Sequence, residues 1–550
     1  MGRNLWLGLI GFSVLASMFT AAAPPWPSGF ETAIRIEQLR ADLQFLSDDL
    51  LEGRAPGTRG DRLAARYIAT RLAMMGLAPL EGAPGYFQVV PMVGVTARPE
   101  PLRVEVRGQT LEFQAVQDFV VWSGVYESAV SIADAPLVFV GYGIEAPEYR
   151  WDDYKGQDMR GKVLLMFVHD PPAPPAEPNL FEGKAMTYYG RWTYKFEEAY
   201  RKGALGAFVV HVPDMAGYPW QVVQSSWTGE QVHLDAPGVE PALPVKGWLH
   251  EAAARRILEA AGYSLDNLLR RAARRDFRPI DLGVRVTVEL HQEVRKFTSQ
   301  NVVAVLRGSD PDLQSEAVLY TAHFDHLGIG PAVQDDSIYN GAYDNASGVA
   351  AVLGVAEVYA HLARQGVRPR RSVLFLLVTA EEAGLLGSLY YASRPLWPLD
   401  KTVANINLDG VNVWEPTEDF VPLGMDRTTI DQVLQEVARA MGVTLRPDPF
   451  PEKGYFFRSD HFSLARRGVP ALSVKAGTHY VGKPPDWGEK LHEEYTARHY
   501  HQPSDQYDPA WPLTGMAQTV EWAFRAGWLL AMQDGRPAWK PGRAVRVPGL

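Results

Sequence analysis

Cysteine is absent from all 550 residues. Disulfides, thiol nucleophiles and cysteine-ligated zinc knuckles are therefore excluded together, and any metal must be held by histidine nitrogen and carboxylate oxygen. A basic excess is also lacking: 54 Lys and Arg stand against 64 Asp and Glu, a net charge of −10. That balance is the reverse of what a phosphate backbone selects, so no nucleic-acid partner is expected. The composition of a disordered chain is missing too, since 46% apolar and 21% charged residues suit large buried cores. At roughly 150 residues per domain, the length predicts two to four domains.

Residues 1–23 read as an address rather than as fold. Arg3 precedes an uncharged stretch over residues 5–23, with its apolar centre at 5–15 and small residues at Ala21, Ala22 and Ala23. This is the pattern of a secretory signal peptide cut near Ala22 or Ala23. It predicts export to a bacterial periplasm or the medium, which suits a chain without disulfides. The competing reading is an uncleaved anchor, because the stretch just reaches the roughly 18–20 residues that span a bilayer. Stable membrane association is expected only in that case. No later segment reads as a transmembrane helix.

Helical spacing is expected over residues 32–51 and 61–75, with Gly76 placed as a helix C-terminal glycine. From about residue 100 to 295 the texture changes to short β-type runs (137–141, 163–168, 207–211), with one amphipathic helix near 192–202. From residue 301 onward strand-like runs at 302–306, 318–322, 372–378, 403–408 and 471–474 alternate with helical runs such as 347–364 and 429–441. Regular alternation of this kind predicts an α/β fold, a mostly parallel mixed sheet with helices on both faces. The division expected is residues 24–99 and 296–540 as two parts of one α/β domain, 100–295 as an inserted β-rich domain, and 541–550 as a tail.

Polar residues terminate these strands. The run at 318–322 leads into His323-Phe324-Asp325, the run at 373–378 into Glu381-Glu382, and the run at 403–408 into Asp409-Gly410. In an open α/β sheet the carboxyl ends of the strands form the ligand crevice, so groups distant in sequence converge there. Asp344 precedes a long apolar helix, and His501 follows the last strand. Each has an ordinary explanation: a helix N-cap for Asp344, a turn for Asp409, an acidic first helical turn for Glu381-Glu382. Together they are harder to dismiss, because an ionised carboxylate at the end of a buried strand is costly without a partner. Two His, two Asp and one Glu make a nitrogen and oxygen donor set suited to two zinc ions, with one aspartate able to bridge them.

The ordered series His323-Phe324-Asp325, Asp344-Asn345-Ala346-Ser347-Gly348, Glu381-Glu382, Asp409-Gly410 and His501 resembles the co-catalytic di-zinc exopeptidases of metallopeptidase family 28. That family holds zinc aminopeptidases, glutamate carboxypeptidase II and the transferrin receptor. The resemblance extends to residues 53–58 and to Ser459-Asp460-His461. It also makes residues 100–295, with Asp153-Tyr154-Lys155-Gly156, similar to the protease-associated domain that many members insert. The resemblance implies a zinc-exopeptidase fold, a peptide substrate and two zinc ions per chain. Asp344 would bridge them, with His323 and Asp409 on one and Glu382 and His501 on the other. Glu381 would be the general base, and Asp325 the acceptor that fixes the His323 tautomer. His326, His479, His492 and His499 are expected to be structural or exposed. Asp460 is expected in the substrate cleft, Tyr455 as a donor to an oxyanion, and Arg458 opposite either a substrate carboxylate or Asp460. The activity implied is removal of N-terminal residues. Alternatives are a glutamate carboxypeptidase-like peptidase and, in a different class, a receptor that has lost catalysis. The last predicts degraded ligand positions, and none of the five is degraded.

Overall fold

The computed structural model describes residues 26–545. The expected leader at 1–23 lies outside the described residues, as do 546–550. Two helices come first, α1 (Ile36–Leu46) and α2 (Arg59–Met74), the latter capped by the Thr58 hydroxyl, which accepts from the Asp61 N–H. A long strand, β1 (Phe87–Pro99), carries the chain away from them.

The middle of the chain holds β2 (Ala129–Phe139), β3 (Val163–Phe167), α3 (Trp192–Arg201), β4 (Gly206–His211), β5 (Val245–His250), α4 (Glu251–Ala261) and α5 (Leu265–Ala272). Strands β2, β3, β4 and β5 are parallel neighbours. This region is richer in helix than its sequence texture suggested. Helix α4 buries an alanine-heavy face (Ala253, Ala254, Ile257, Leu258, Ala261).

The return strand β6 (Ile280–Leu306) is 27 residues long. Its pairing with β1 is antiparallel and unbroken from Phe87↔Val302 to Pro99↔Leu290. The chain therefore enters and leaves its middle region along one two-stranded ribbon, and β6 runs straight through position 295. The remaining elements are β7 (Ala317–His323), α6 (Ser347–Arg364), β8 (Ser372–Val378), α7 (Leu386–Ser393), β9 (Thr402–Leu408), β10 (Asp419–Leu423), α8 (Ile430–Met441), β11 (Ala471–Ala476), α9 (Trp487–Arg498) and α10 (Thr514–Met532).

The sheet is mixed with a parallel centre. β7 lies between β8 and β9, β11 follows β9, and all three contacts are parallel; β6 and β10 close this part antiparallel. Side chains alternate between faces along a strand. Val318, Tyr320, Val373, Phe375 and Leu377 belong to one core with α1, α2, α6 and α10, while Leu319, Leu374, Leu376 and Val378 belong to another with Tyr391, Trp397 and Leu464. Both faces are covered, which is why the run at 373–378 is apolar throughout. Residues Ala342–Arg364 are long and apolar enough to cross a membrane, contrary to the expectation from sequence. That stretch is instead the central core helix: 83% of its apolar window is buried, and α1 and α10 pack on it.

Candidate metal centre

Parallel pairing sets the ends of three strands side by side. His323 is level with Val378, and Thr321 with Asn407. The residues that follow, Asp325, Glu381, Glu382 and Asp409, therefore emerge at one edge. The turn before α6 brings Asp344 to the same place, and the loop after α9 brings His501.

Asp344 sits between two imidazoles. Its Oδ1 is 3.3 Å from His323 Nε2 and its Oδ2 is 3.4 Å from His501 Nε2. His323 Nε2 is also 3.7 Å from Asp409 Oδ1, and His501 Nε2 is 3.0 Å from Glu382 Oε2. All five expected ligands thus share one pocket. Two sets of ligand atoms, from His323, Asp344 and Glu382 and from His323, Glu381 and Asp409, lie within 4.8 Å of one another.

The electrostatics favour cations. Burial opposes charge on His323, yet Glu381, Asp325, Asp344 and Asp409 together hold its pKa well above the ordinary imidazole range. His501 is raised in the same way, against burial, by Glu382 and Asp344. Burial pushes the Glu381 carboxyl well up, helped by Glu382, Asp460 and Asp409 and opposed by His323. Buried carboxylates outnumber the bases that could neutralise them, and a nitrogen and oxygen donor set of this make-up fits zinc.

Supporting residues fix the ligands. His323 Nδ1 lies 3.3 Å from the Asp325 carbonyl oxygen, which can only accept, so Nδ1 carries the hydrogen and Nε2 faces the pocket. The Asp325 carboxylate does something other than what was expected of it. It is 3.7 Å from His323 Nδ1, beyond hydrogen-bond reach, and accepts instead from the Glu381 N–H at 3.0 Å and the Glu382 N–H at 3.3 Å. It orients the acidic pair, while its own carbonyl orients the imidazole.

Three residues given no role at the metal from sequence also act here. His326 donates from Nδ1 to Glu382 Oε1 at 2.7 Å. Asp505 accepts from the Tyr343 and Asp344 N–H groups at 2.9 and 3.0 Å and from the Tyr495 hydroxyl at 3.1 Å. Asn345, joined to Asp344 by a cis peptide bond, accepts from the Gly348 and Gly410 N–H groups and donates to the Leu408 carbonyl. Asn345 stands beside Asp344 in its motif and Asp505 four residues after His501; nothing in the sequence marked the bond from His326 to Glu382.

The remaining histidines stand apart from the ligands. His479 contacts Asp419 at 3.0 Å, His499 contacts Ser504 at 3.0 Å, and His492 stacks on Phe450. A cavity of about 2200 Å³ opens onto the cluster, and Tyr455, Arg458 and Ser459 line it. Asp460 does not. It is fully buried, because it leads into the short helix His461–Ala465 under the strand ends, and burial pushes its carboxyl up to about 7. It cannot contact substrate, and it forms no ion pair with Arg458 among the described residues.

Residues 301–524 match the sequence profile of peptidase family M28, in agreement with the resemblance read from the motifs. Aminopeptidase NAALADL1 of Mus musculus is 36% identical over 130 residues, 23% of this chain and 16% of that protein. Leupeptin-inactivating enzyme 1 of Streptomyces exfoliatus is 27% identical over 212 residues, 38% of this chain and 43% of that protein. The chain thus spans less than half the length of these curated relatives. Among solved structures, the aminopeptidase from Aneurinibacillus sp. strain AM-1 aligns over 94% of this chain and 97% of that chain, with 19% identity and a TM-score of 0.47.

Proposed function

We propose that this chain is an exported zinc aminopeptidase that hydrolyses the N-terminal residue from peptides and holds two zinc ions. The observation that carries the reading is Asp344, whose two carboxylate oxygens each face a different imidazole, with Asp409 and Glu382 flanking. His323, Asp344 and Asp409 would hold one zinc, and Asp344, Glu382 and His501 the other. When bound, the pair supplies a Lewis acid for the scissile carbonyl and makes water acidic enough to ionise near neutral pH.

The chain's own residues do the rest. Glu381, raised by burial and its carboxylate neighbours, takes the proton from the attacking water and returns it to the leaving amine nitrogen. Asp325 holds the Glu381 and Glu382 backbone in register, and Asp505 and Asn345 hold Asp344. We read residues 1–23 as the export signal. We read residues 100–295 as a protease-associated insertion; support comes from the single ribbon, β1 and β6, that joins it to the rest.

Glu381→Gln is expected to keep both metals and lose turnover by about 100-fold or more, measured on leucine p-nitroanilide beside metal analysis. Asp344→Ala is expected to lose metal as well. Turnover of Glu381→Gln within about tenfold of wild type would place the base elsewhere. One observation favours a second reading, release of a C-terminal acidic residue: Arg191 and Arg458 line the cavity, and among the described residues neither has an acidic partner. Mass analysis of the residue freed from a mixed-sequence pentapeptide separates the two.

A further inference from the structure

The cavity that opens onto the metal cluster reaches well into the middle region. Its volume of about 2200 Å³ exceeds the roughly 300–1000 Å³ of ordinary small-molecule pockets and has room for several peptide residues. Three elements of the middle region bring aromatic side chains to its wall. Trp122 ends the strand Phe119–Trp122, Trp192 and Phe196 lie one turn apart on one face of α3, and Trp227 follows the short helix Trp220–Ser226. All four line the cavity. Their rings form one apolar surface: centre to centre, Trp227 is 4.7 Å from Trp122, 5.5 Å from Trp192 and 5.8 Å from Phe196. Trp248 belongs to the same core but is fully buried, whereas Trp122 and Trp192 are only partly covered.

A cation completes the wall. Lys246, on β5, is the cross-strand partner of Trp122, and its Nζ lies 5.4 Å from the centre of the Trp122 ring. Lys246 lines the cavity although only 5% of it is exposed. Among the described residues its amine has no ion pair and donates no hydrogen bond. The buried Lys195 differs, since it donates to the Tyr142 and His169 carbonyls at 2.6 and 3.1 Å. Burial brings the Lys246 amine below its ordinary range, and Glu240 and Glu197 oppose this from beyond ion-pair distance. A desolvated donor without an acceptor is costly, and a ligand that accepts from it removes that cost.

Ring walls beside a single donor suit one chemistry. An aromatic side chain packs edge-to-face against rings arranged like these. A backbone carbonyl next to it can accept from Lys246, and the same ammonium repels a lysine or arginine side chain. Removal of the first residue at the metal cluster leaves the rest of the peptide on the leaving side. Only residues beyond the scissile bond can therefore reach this wall.

We propose that Trp122, Trp192, Phe196 and Trp227, together with Lys246, form a subsite for an aromatic side chain beyond the scissile bond. The chain then prefers peptides with Phe, Tyr or Trp downstream of the residue it removes. The inference rests on the peptidase reading above and deepens it, because the middle region reads the part of the peptide that is not removed.

The test uses the zinc-loaded full chain and the amides of Leu-Gly-Gly-Gly, Leu-Phe-Gly-Gly, Leu-Gly-Phe-Gly and Leu-Gly-Gly-Phe, with a second set in which lysine replaces phenylalanine. One phenylalanine position is expected to give a KM about tenfold below that of the all-glycine peptide, the scale of burying one aromatic side chain. Lysine at that position is expected to give no such gain. Trp122→Leu and Trp192→Leu are each expected to raise KM for the preferred peptide about fivefold with little change in kcat, and zinc content equal to wild type shows that the fold is kept. Lys246→Met is expected to lower KM for the lysine peptide about threefold, because the rings alone attract a cation. Equal KM for all phenylalanine and glycine peptides in the wild type, or tryptophan variants that weaken both alike, would overturn the proposal. Calorimetric binding of the same peptides to Glu381→Gln separates the two readings. An aromatic preference in binding without turnover by the wild type would sink the peptidase reading and keep the subsite; turnover without a preference would do the reverse.

Discussion

Asp61 shows how burial alone sets the behaviour of a residue. It is fully buried and accepts from the Ser299 hydroxyl at 2.8 Å and the Gly57 N–H at 2.9 Å. Burial outweighs those bonds and raises its carboxyl from 3.8 to about 7. Between those values the folded chain keeps a proton that the unfolded chain has released, so stability falls as pH rises through that window. The contribution is fully present below about pH 4 and lost above about pH 7. Asp61→Asn removes the titration. Urea unfolding from pH 4.5 to 7.5 is expected to show wild type losing stability relative to the variant as pH rises; parallel curves would contradict this. At this scale, the sequence was legible where a residue stood just past a strand (His323, Glu382, Asp409) or in a recognisable motif (Asp344, His501): all five meet. It was illegible where a role depends on a side chain's direction. Asp325 and Asp460 sit in the expected motifs, but one clamps the Glu381-Glu382 backbone and the other turns into the interior.

Elements were legible where their period was strong. Helix α6 and strands β7, β8 and β9 fall where alternation and apolar runs placed them. The length of β6 was not legible, since nothing in residues 280–306 marks a strand that leaves one region and continues into another. Nor was the anchoring of the loop ahead of α6. Arg54, only 1% exposed, donates to the carbonyls of Phe324 at 2.7 Å, Asn340 at 2.5 Å and Gly341 at 3.1 Å, and also to Leu46. It ties the end of α1 to the segment that presents Asp344. Neighbouring Gly53, at φ +67°, lies where a Cβ would come within 2.5 Å of the Tyr339 carbonyl oxygen. Each buried carbonyl left unpaired costs about 1–3 kcal/mol. Arg54→Met is therefore expected to lose about 3 kcal/mol or more in urea unfolding and to weaken metal binding. A loss below about 1 kcal/mol would show that water replaces the guanidinium.

At the scale of the whole molecule, the long ribbon of β1 and β6 joins two bodies of structure into one sheet, and the cavity between them holds the reacting centre at its base. The strand ends bring His323, Glu381, Glu382 and Asp409 together, the loops around α6 and α9 add Asp344 and His501, and the middle region contributes Arg191 to the cavity wall. The central claim is that five side chains separated by up to 178 positions, from His323 to His501, clasp two metal ions across Asp344. Anomalous scattering at the zinc edge from crystals of the zinc-loaded full chain tests it most directly. Two peaks are predicted, one among His323, Asp344 and Asp409 and one among Asp344, Glu382 and His501. A single peak, or none within this cluster, would contradict the account.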